Sequence, residues 1–239
     1  MEQSTLAAEV ERYAWYHTLD LGDGVLTNGM FDHRGVVDRY MIPDDLSGLR
    51  CLDVGTMDGF WAFEMERRGA REVVATDVYG PDDLDWPPVH RARTNPLIDE
   101  TKEARFQLAS DALGSRVERV VRSVYELGPE LGQFELVFCG DLLIHLKDPI
   151  TALERMHSVC CGSTIICNPI VRFRFGRRQA LAEFDGLDEF QWWALSEPAI
   201  ERMMRAVGYR SVIVGDSFEL PAKVGGSWKG RRGIMRGFV

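Results

Sequence analysis

The stretch LDVGTMDG, residues 52–59, constrains this chain more than any other. An apolar run ends at Asp53 and meets Gly55 and Gly59, with Thr56, Met57 and Asp58 between them. Gly59 to Arg68 then reads as a helix, with Phe60 and Phe63 on one side, Glu64 and Arg68 paired one turn apart, and Gly69 as its stop. A strand that ends in a glycine turn and opens a helix is a nucleotide-binding signature, because glycines let the backbone approach a ligand closely.

The rest of the chain repeats the alternation. RCLDV (50–54), EVVAT (72–76), VERVV (117–121), FELVF (134–138) and STIIC (163–167) read as strands. Residues 97–113 read as a helix. Asp148 caps another that has Pro149 at its first position and runs to about Val159. Ser196 caps a third, through Val207, ended by Gly208. Short apolar strands alternating with helices predict a parallel sheet covered on both faces. SVIV (211–214) and GIMRGFV (233–239) have only a glycine-rich loop between them, so the last strand is expected to return antiparallel. The predicted class is α/β: a Rossmann-like, seven-stranded, mostly parallel sheet with an antiparallel C-terminal strand. Residues 1–48 are expected to form an arm or lid over the site. Residues 49–239 would form the main domain, with an insertion at about 170–195.

Composition narrows the partners. The chain has 239 residues, 45% hydrophobic, with net charge −9. That supports a sizeable core and weighs against a broad nucleic-acid footprint. The five cysteines, Cys51, Cys139, Cys160, Cys161 and Cys167, form no CxxC and are odd in number. Reduced thiols in a cytoplasmic protein are expected. No stretch has the length and apolarity of a membrane span, and MEQSTLAAEVER lacks a signal-peptide core. No metal site is predicted.

In open α/β sheets, ligands bind beyond the carboxyl ends of the strands. There the sequence places Asp53, Gly55, Thr56, Asp58 and Gly59 after the first strand, and Asp77 and Val78 after the second. Asp77 is spaced to hydrogen-bond ribose hydroxyls. Ser123 and Val124 follow the third strand, a polar group beside an apolar one, suited to bracketing an adenine. CGDLLIHLKDP (139–149) follows the fourth, with Gly140, Asp141 and His145.

LDVGTMDG, TDVY (76–79), SVYEL (123–127) and FCGDLLIHLKDP (138–149), in register with the strand order, resemble class I S-adenosylmethionine-dependent methyltransferases over residues 50–239. PAIERMMRAVGYRSVIV (198–214) matches the helix and strand before the closing strand. The resemblance implies S-adenosylmethionine as cofactor. It implies Gly55 and Gly59 along the methionine part, Asp77 on the ribose, Ser123 and Val124 near the adenine, and Asp141 near the methionine end. Met57 stands where the family often has a third glycine, so its side chain must point away or the turn must differ. WYHTLDLGDGVLTNGMFDHRGVVDRYMIPDDLSG (15–48) resembles the branch that includes tRNA wobble-uridine carboxymethyltransferases, a longer enzyme type that uses a carboxylated cofactor.

His145 is the candidate base, able to take a proton from a hydroxyl nucleophile. Its alternative is to orient the loop. Tyr16, His17 and Phe31 in the arm are candidate substrate contacts, with His33 a weaker one. Trp192 either packs under the insertion or lines an apolar pocket. In VRFRFGRRQ (171–179), Arg172 and Arg174 alternate with Phe173 and Phe175. Such arginines suit a carboxylate or phosphate, or single-stranded nucleic acid, or merely an exposed face. Lys229, Arg231, Arg232 and Arg236 read as surface or hairpin charge.

These features predict methyl transfer to a small molecule, at an oxygen of a specialised metabolite or sugar-like compound. One alternative is a tRNA-modifying methyl- or carboxymethyltransferase. The other is a nicotinamide-dependent oxidoreductase, against which stand the missing GxGxxG and the reversed last strand.

Overall fold

A computed structural model describes residues 3–91, 97, 99, 101–171, 179–187, 190–221, 223 and 229–239. The chain starts with α1 (Gln3–Val10) and two three-residue strands, β1 (Trp15–His17) and β2 (Gly29–Phe31), which pair in parallel. Then come β3 (Arg50–Val54), α2 (Phe60–Arg67), β4 (Glu72–Asp77), α3 (Pro88–Arg91), α4 (Lys102–Leu113), β5 (Glu118–Val121) and β6 (Phe134–Gly140). The second half holds α5 (Pro149–Ser158), β7 (Cys160–Pro169), β8 (Ala182–Phe184), β9 (Trp193–Leu195), α6 (Glu197–Ala206), β10 (Ser211–Val214), β11 (Phe218–Pro221) and β12 (Lys229–Phe238).

The main sheet runs β10-β12-β7-β6-β3-β4-β5, and β11 also pairs with β12. The strands β7, β6, β3, β4 and β5 are parallel, while β12 is antiparallel to both β7 and β10. The reversed C-terminal strand is therefore present. It sits between β7 and β10, and β11 makes the sheet eight-stranded where seven were expected. β10 and β11 pair with successive halves of one edge of β12, so the short segment 211–221 acts as a single bent strand.

Local chemistry sets the element ends. Gly59 precedes α2 with φ +94, and a Cβ there would stand 2.4 Å from the Phe63 ring and 2.8 Å from Phe106. Asp148 caps α5 through the Thr151 amide at 3.0 Å, and Ser196 caps α6 through the Ala199 amide. The helix expected over 97–113 starts later, at Lys102. Asp99 accepts the amide and hydroxyl of Thr101, a local turn that competes with helix.

Two apolar clusters cover the sheet. One joins the arm to α2 and α4 through Leu6, Trp15, Leu19, Phe31, Phe60, Phe63 and Phe106. The other joins α5 and α6 to β6 and β7 through Leu153, Met156, Ile200, Met204 and Val137. The arm thus completes one face of the core and ends over the carboxyl edge of the sheet. Among the described residues no helix is long and apolar enough to cross a membrane.

Candidate active site

A cavity of about 320 Å³ opens at the carboxyl ends of the parallel strands. Small-molecule sites span ~300–1,000 Å³. Gly55 lies on its floor with φ +78, a conformation glycine adopts without steric cost. On the β4–β5 side the wall is Asp77, Val78, Ser123 and Val124, with Leu84 and Trp86 above. On the β6 side it is Gly140, Asp141 and Leu142. The arm closes that side with Tyr16, His17, His33 and Tyr40, beside Trp61 of α2.

Asp77 is fixed from three directions. Its Oδ2 accepts the Met57 amide at 2.8 Å, and its Oδ1 accepts the Val78 amide at 2.8 Å and Lys102 Nζ at 2.9 Å. Lys102 is 1% exposed, so this is a buried ion pair facing the cavity. Sequence reasoning missed Lys102, since nothing in the pattern of α4 marks one lysine for the interior.

Asp58 turns away from the cavity and holds the arm. Its Oδ2 accepts the amides of Tyr16 at 2.8 Å and His17 at 3.0 Å, and its Oδ1 receives His17 Nδ1. Burial alone would raise this carboxyl, but the His17 charge and those hydrogen bonds outweigh it and hold it below its usual range. The His17 ring stacks on Phe60, centroids 5.5 Å apart. Deeper in, His33 Nδ1 and the Tyr40 hydroxyl share a hydrogen bond of 2.7 Å. Burial, then the charge of His17, pushes His33 well below the usual imidazole range.

Asp141 adopts φ +51, a backbone conformation that aspartate tolerates better than most residues. Its Oδ2 accepts Arg232 Nη2 at 2.7 Å and Nε at 3.0 Å. Its Oδ1 has no hydrogen-bond partner among the described residues. Arg232 is fully buried, donates to the carbonyls of Leu220 and Gly230, and lies over the Phe31 ring at 4.9 Å. This corrects the reading of Arg232 as surface charge. A strand with neighbours on both edges and both faces covered leaves no solvent for it, and Asp141 supplies the compensating charge. Asp53 is buried below the turn, and burial pushes its carboxyl up to about 7.

His145 lines the cavity. Its Nδ1 donates to the Phe190 carbonyl, which leaves Nε2 as the acceptor nitrogen. Burial holds this imidazole below its ordinary pKa. It faces Trp86 at 5.9 Å, and Trp86 in turn faces Phe190 at 4.5 Å. Of the other expected site residues, Gly55, Asp77, Val78, Ser123, Val124, Gly140, Asp141, Tyr16 and His17 share this cavity. Asp53, Thr56, Asp58 and Gly59 stand behind the glycine turn, and Phe31 stands behind Tyr16, ring centroids 5.1 Å apart. Trp192 donates its indole N–H to the Asp85 carbonyl and ties the insertion to the segment after β4. Arg172 and Arg174 lie outside the described residues.

The N-terminal domain of EvdMO1, solved with SAH and D-fucose, superposes over 100% of this chain and 97% of that domain, with TM-score 0.69 and 14% identity. The 1,6-didemethyltoxoflavin-N1-methyltransferase of Burkholderia thailandensis, with its substrate and S-adenosylhomocysteine bound, covers 80% of this chain and 71% of its own, at TM-score 0.52 and 18% identity. Magnesium protoporphyrin IX methyltransferase of Synechocystis PCC 6803, with SAH, covers 81% and 75% at TM-score 0.54 and 15% identity. The fold is that of the class I methyltransferases. Within the methyltransferase fold the strand order puts the glycine turn on the central β3, between the Asp77 side and the Asp141 side of the cavity. In sequence, the tRNA U34 carboxymethyltransferase of Stutzerimonas stutzeri (strain A1501) is 27% identical over 171 residues, 70% of this chain and 47% of that one. The chain thus spans about half the length of that curated relative. No family model matches it.

Proposed function

We propose that this protein transfers a methyl group from S-adenosylmethionine to a hydroxyl of a small, sugar-like acceptor. The observation that carries the reading is one cavity bordered by the glycine turn, Asp77 and Asp141. Asp77, oriented by Lys102, suits the ribose diol. Asp141 Oδ1, buried and unpartnered among the described residues, suits the cofactor's ammonium group. Val78, Ser123 and Val124 would border the adenine, and Gly55 leaves room for the methionine chain. When bound, the cofactor supplies an activated methyl group; the chain orients both partners and excludes water. The relatives named above with SAH and D-fucose, or with SAH and toxoflavin precursor, support a small acceptor.

The carboxymethyltransferase relative favours a second reading, with a carboxylated cofactor and tRNA. A second carboxylate on the ligand wants an available cation. The two fully buried cations are paired, Lys102 with Asp77 and Arg232 with Asp141, which favours methyl transfer. Arg122 bonds Glu130 through Nη1 and keeps a buried Nε without a partner among the described residues, so it is the wall group that a second carboxylate would use. The deciding experiment is mass spectrometry of ligands released from the purified protein, then calorimetry with S-adenosylhomocysteine and with NADH. Binding of NADH alone would overturn the proposal. Incubation with S-adenosylmethionine and D-fucose or tRNA, followed by mass, distinguishes the acceptors.

A further inference from the structure

Three imidazoles line the cavity, His17, His33 and His145, and they are held differently. His145 is fastened to a neutral carbonyl and packed beside Trp86, on the side of the segment that follows β4. His17 is fastened to a carboxylate. Asp58 takes its ring Nδ1–H and its backbone amide, and Phe60 stacks on the ring, so the plane and tautomer of His17 are set. In neutral His17 the lone pair is on Nε2, which has no hydrogen bond among the described residues. His33 differs: its Nδ1 is tied to the Tyr40 hydroxyl instead of a carboxylate, and its Nε2 is buried from solvent.

We propose that His17 and Asp58 form the general base of this site, with His17 as the catalytic group and Asp58 as its positioning residue. The inference rests on the methyl-transfer reading. If Asp77 takes the ribose, the cofactor's nucleoside half fills the β4–β5 side, and its sulfur end lies toward β6 and the arm. Tyr16, His17 and Tyr40 face that end. Tyr16 and Tyr40 are poor bases, because burial raises both phenols above their usual range. His17 is the group there with an open lone pair and a carboxylate behind it. A carboxylate on the far nitrogen favours the imidazolium that proton transfer creates.

The step balances. The acceptor O–H bond breaks with its proton passing to Nε2, and an O–CH₃ bond forms as the carbon–sulfur bond breaks with its electron pair on sulfur. The products are an ether, a neutral thioether and an imidazolium beside Asp58, which later releases its proton to solvent. A base is needed for an alcohol and not for an ionised carboxylate or a neutral amine, so the dyad assigns the acceptor to the alcohols. The titratable groups around His17 are Tyr16, His33, Asp53 and Asp58.

The test uses the whole protein with diethyl pyrocarbonate, a reagent for unprotonated, accessible imidazole nitrogen, and peptide mass mapping. With S-adenosylhomocysteine bound, His17 should react at least about tenfold faster than His33, and loading should change its rate less than about threefold. His17→Gln should bind S-adenosylhomocysteine within about threefold of the unaltered protein by calorimetry. Asp58→Asn should slow His17 labelling about tenfold. The proposal is overturned if the ligand shields His17 tenfold or more, if His17 stays unlabelled while His145 reacts, or if His17→Gln loses the ligand. If the unaltered protein fails to bind S-adenosylhomocysteine, the methyl-transfer reading falls instead.

Discussion

Met57 sits at φ +53, in the left-handed region that costs an L-residue roughly 1–2 kcal/mol. The sequence showed this departure, a methionine where a third glycine is common. It did not show the remedy, which is that the Met57 amide is held by Asp77, twenty residues on. That bond gives Asp77 a structural role beside the proposed ribose contact. Asp77→Ala leaves Lys102 buried without a partner, so the variant should lose ~3–5 kcal/mol of stability before any cofactor is added. Asp77→Ala combined with Lys102→Met removes both charges and should recover most of it. Urea denaturation reads both, and a double variant no more stable than the single one refutes the pairing. Asp53 gives a pH test. Its folded pKa, near 7, exceeds the unfolded value of 3.8, so the folded state binds more protons between those limits and stability falls as pH rises through them. The loss is on the order of a few kcal/mol. Asp53→Asn should therefore flatten stability between pH 4 and 7.5, gaining on the unaltered protein as pH rises. Parallel pH profiles for the two proteins would contradict a buried, protonated Asp53.

Elements with local signals were legible. The caps Asp148 and Ser196 and the strand-turn-helix at residue 52 depend on neighbours in the chain, and each stands within a residue or two of its expected limits. From the sequence the arm was expected only to be a lid. Its two strands have three residues each and pair across a loop, too short for a periodicity to show. Its tie to Asp58 spans 41 residues, and no local pattern reports that. Packing shows what the lid reading left out, because Leu6, Val10, Trp15, Leu19, Val25 and Phe31 belong to one core cluster with α2. Removing residues 1–34 should therefore uncover that cluster and cost the fold, where a detachable lid would leave the sheet intact. Trp15 is 2% exposed and donates its indole N–H to the Val10 carbonyl at 2.9 Å. Trp15→Ala should lose ~3–5 kcal/mol, measured by thermal denaturation. A loss under ~1 kcal/mol would restore the detachable lid.

At the scale of the whole molecule, the cavity joins parts that fold from distant stretches: the turn, β4, β6, the arm and the reversed β12 that brings Arg232 to Asp141. A ligand seated there borders the turn, β4, β6 and the arm, with β12 behind Asp141, so its binding energy should appear as global stability. Binding to the folded state alone adds about 2.7 kcal/mol at a hundredfold excess over Kd. For a domain of this size each kcal/mol moves Tm by ~2–4 °C, so the expected rise is ~5–11 °C. S-adenosylhomocysteine should give that rise, growing with the logarithm of its concentration, and NADH should give none. The same rise should survive His17→Gln and His145→Gln, because neither imidazole is asked to hold the cofactor. It should shrink in the doubly substituted Asp77→Ala, Lys102→Met protein, where the fold is kept and the ribose partner is gone. A double variant that keeps the full shift would mean that the ligand sits elsewhere, and that the buried pair at the end of β4 serves the turn alone.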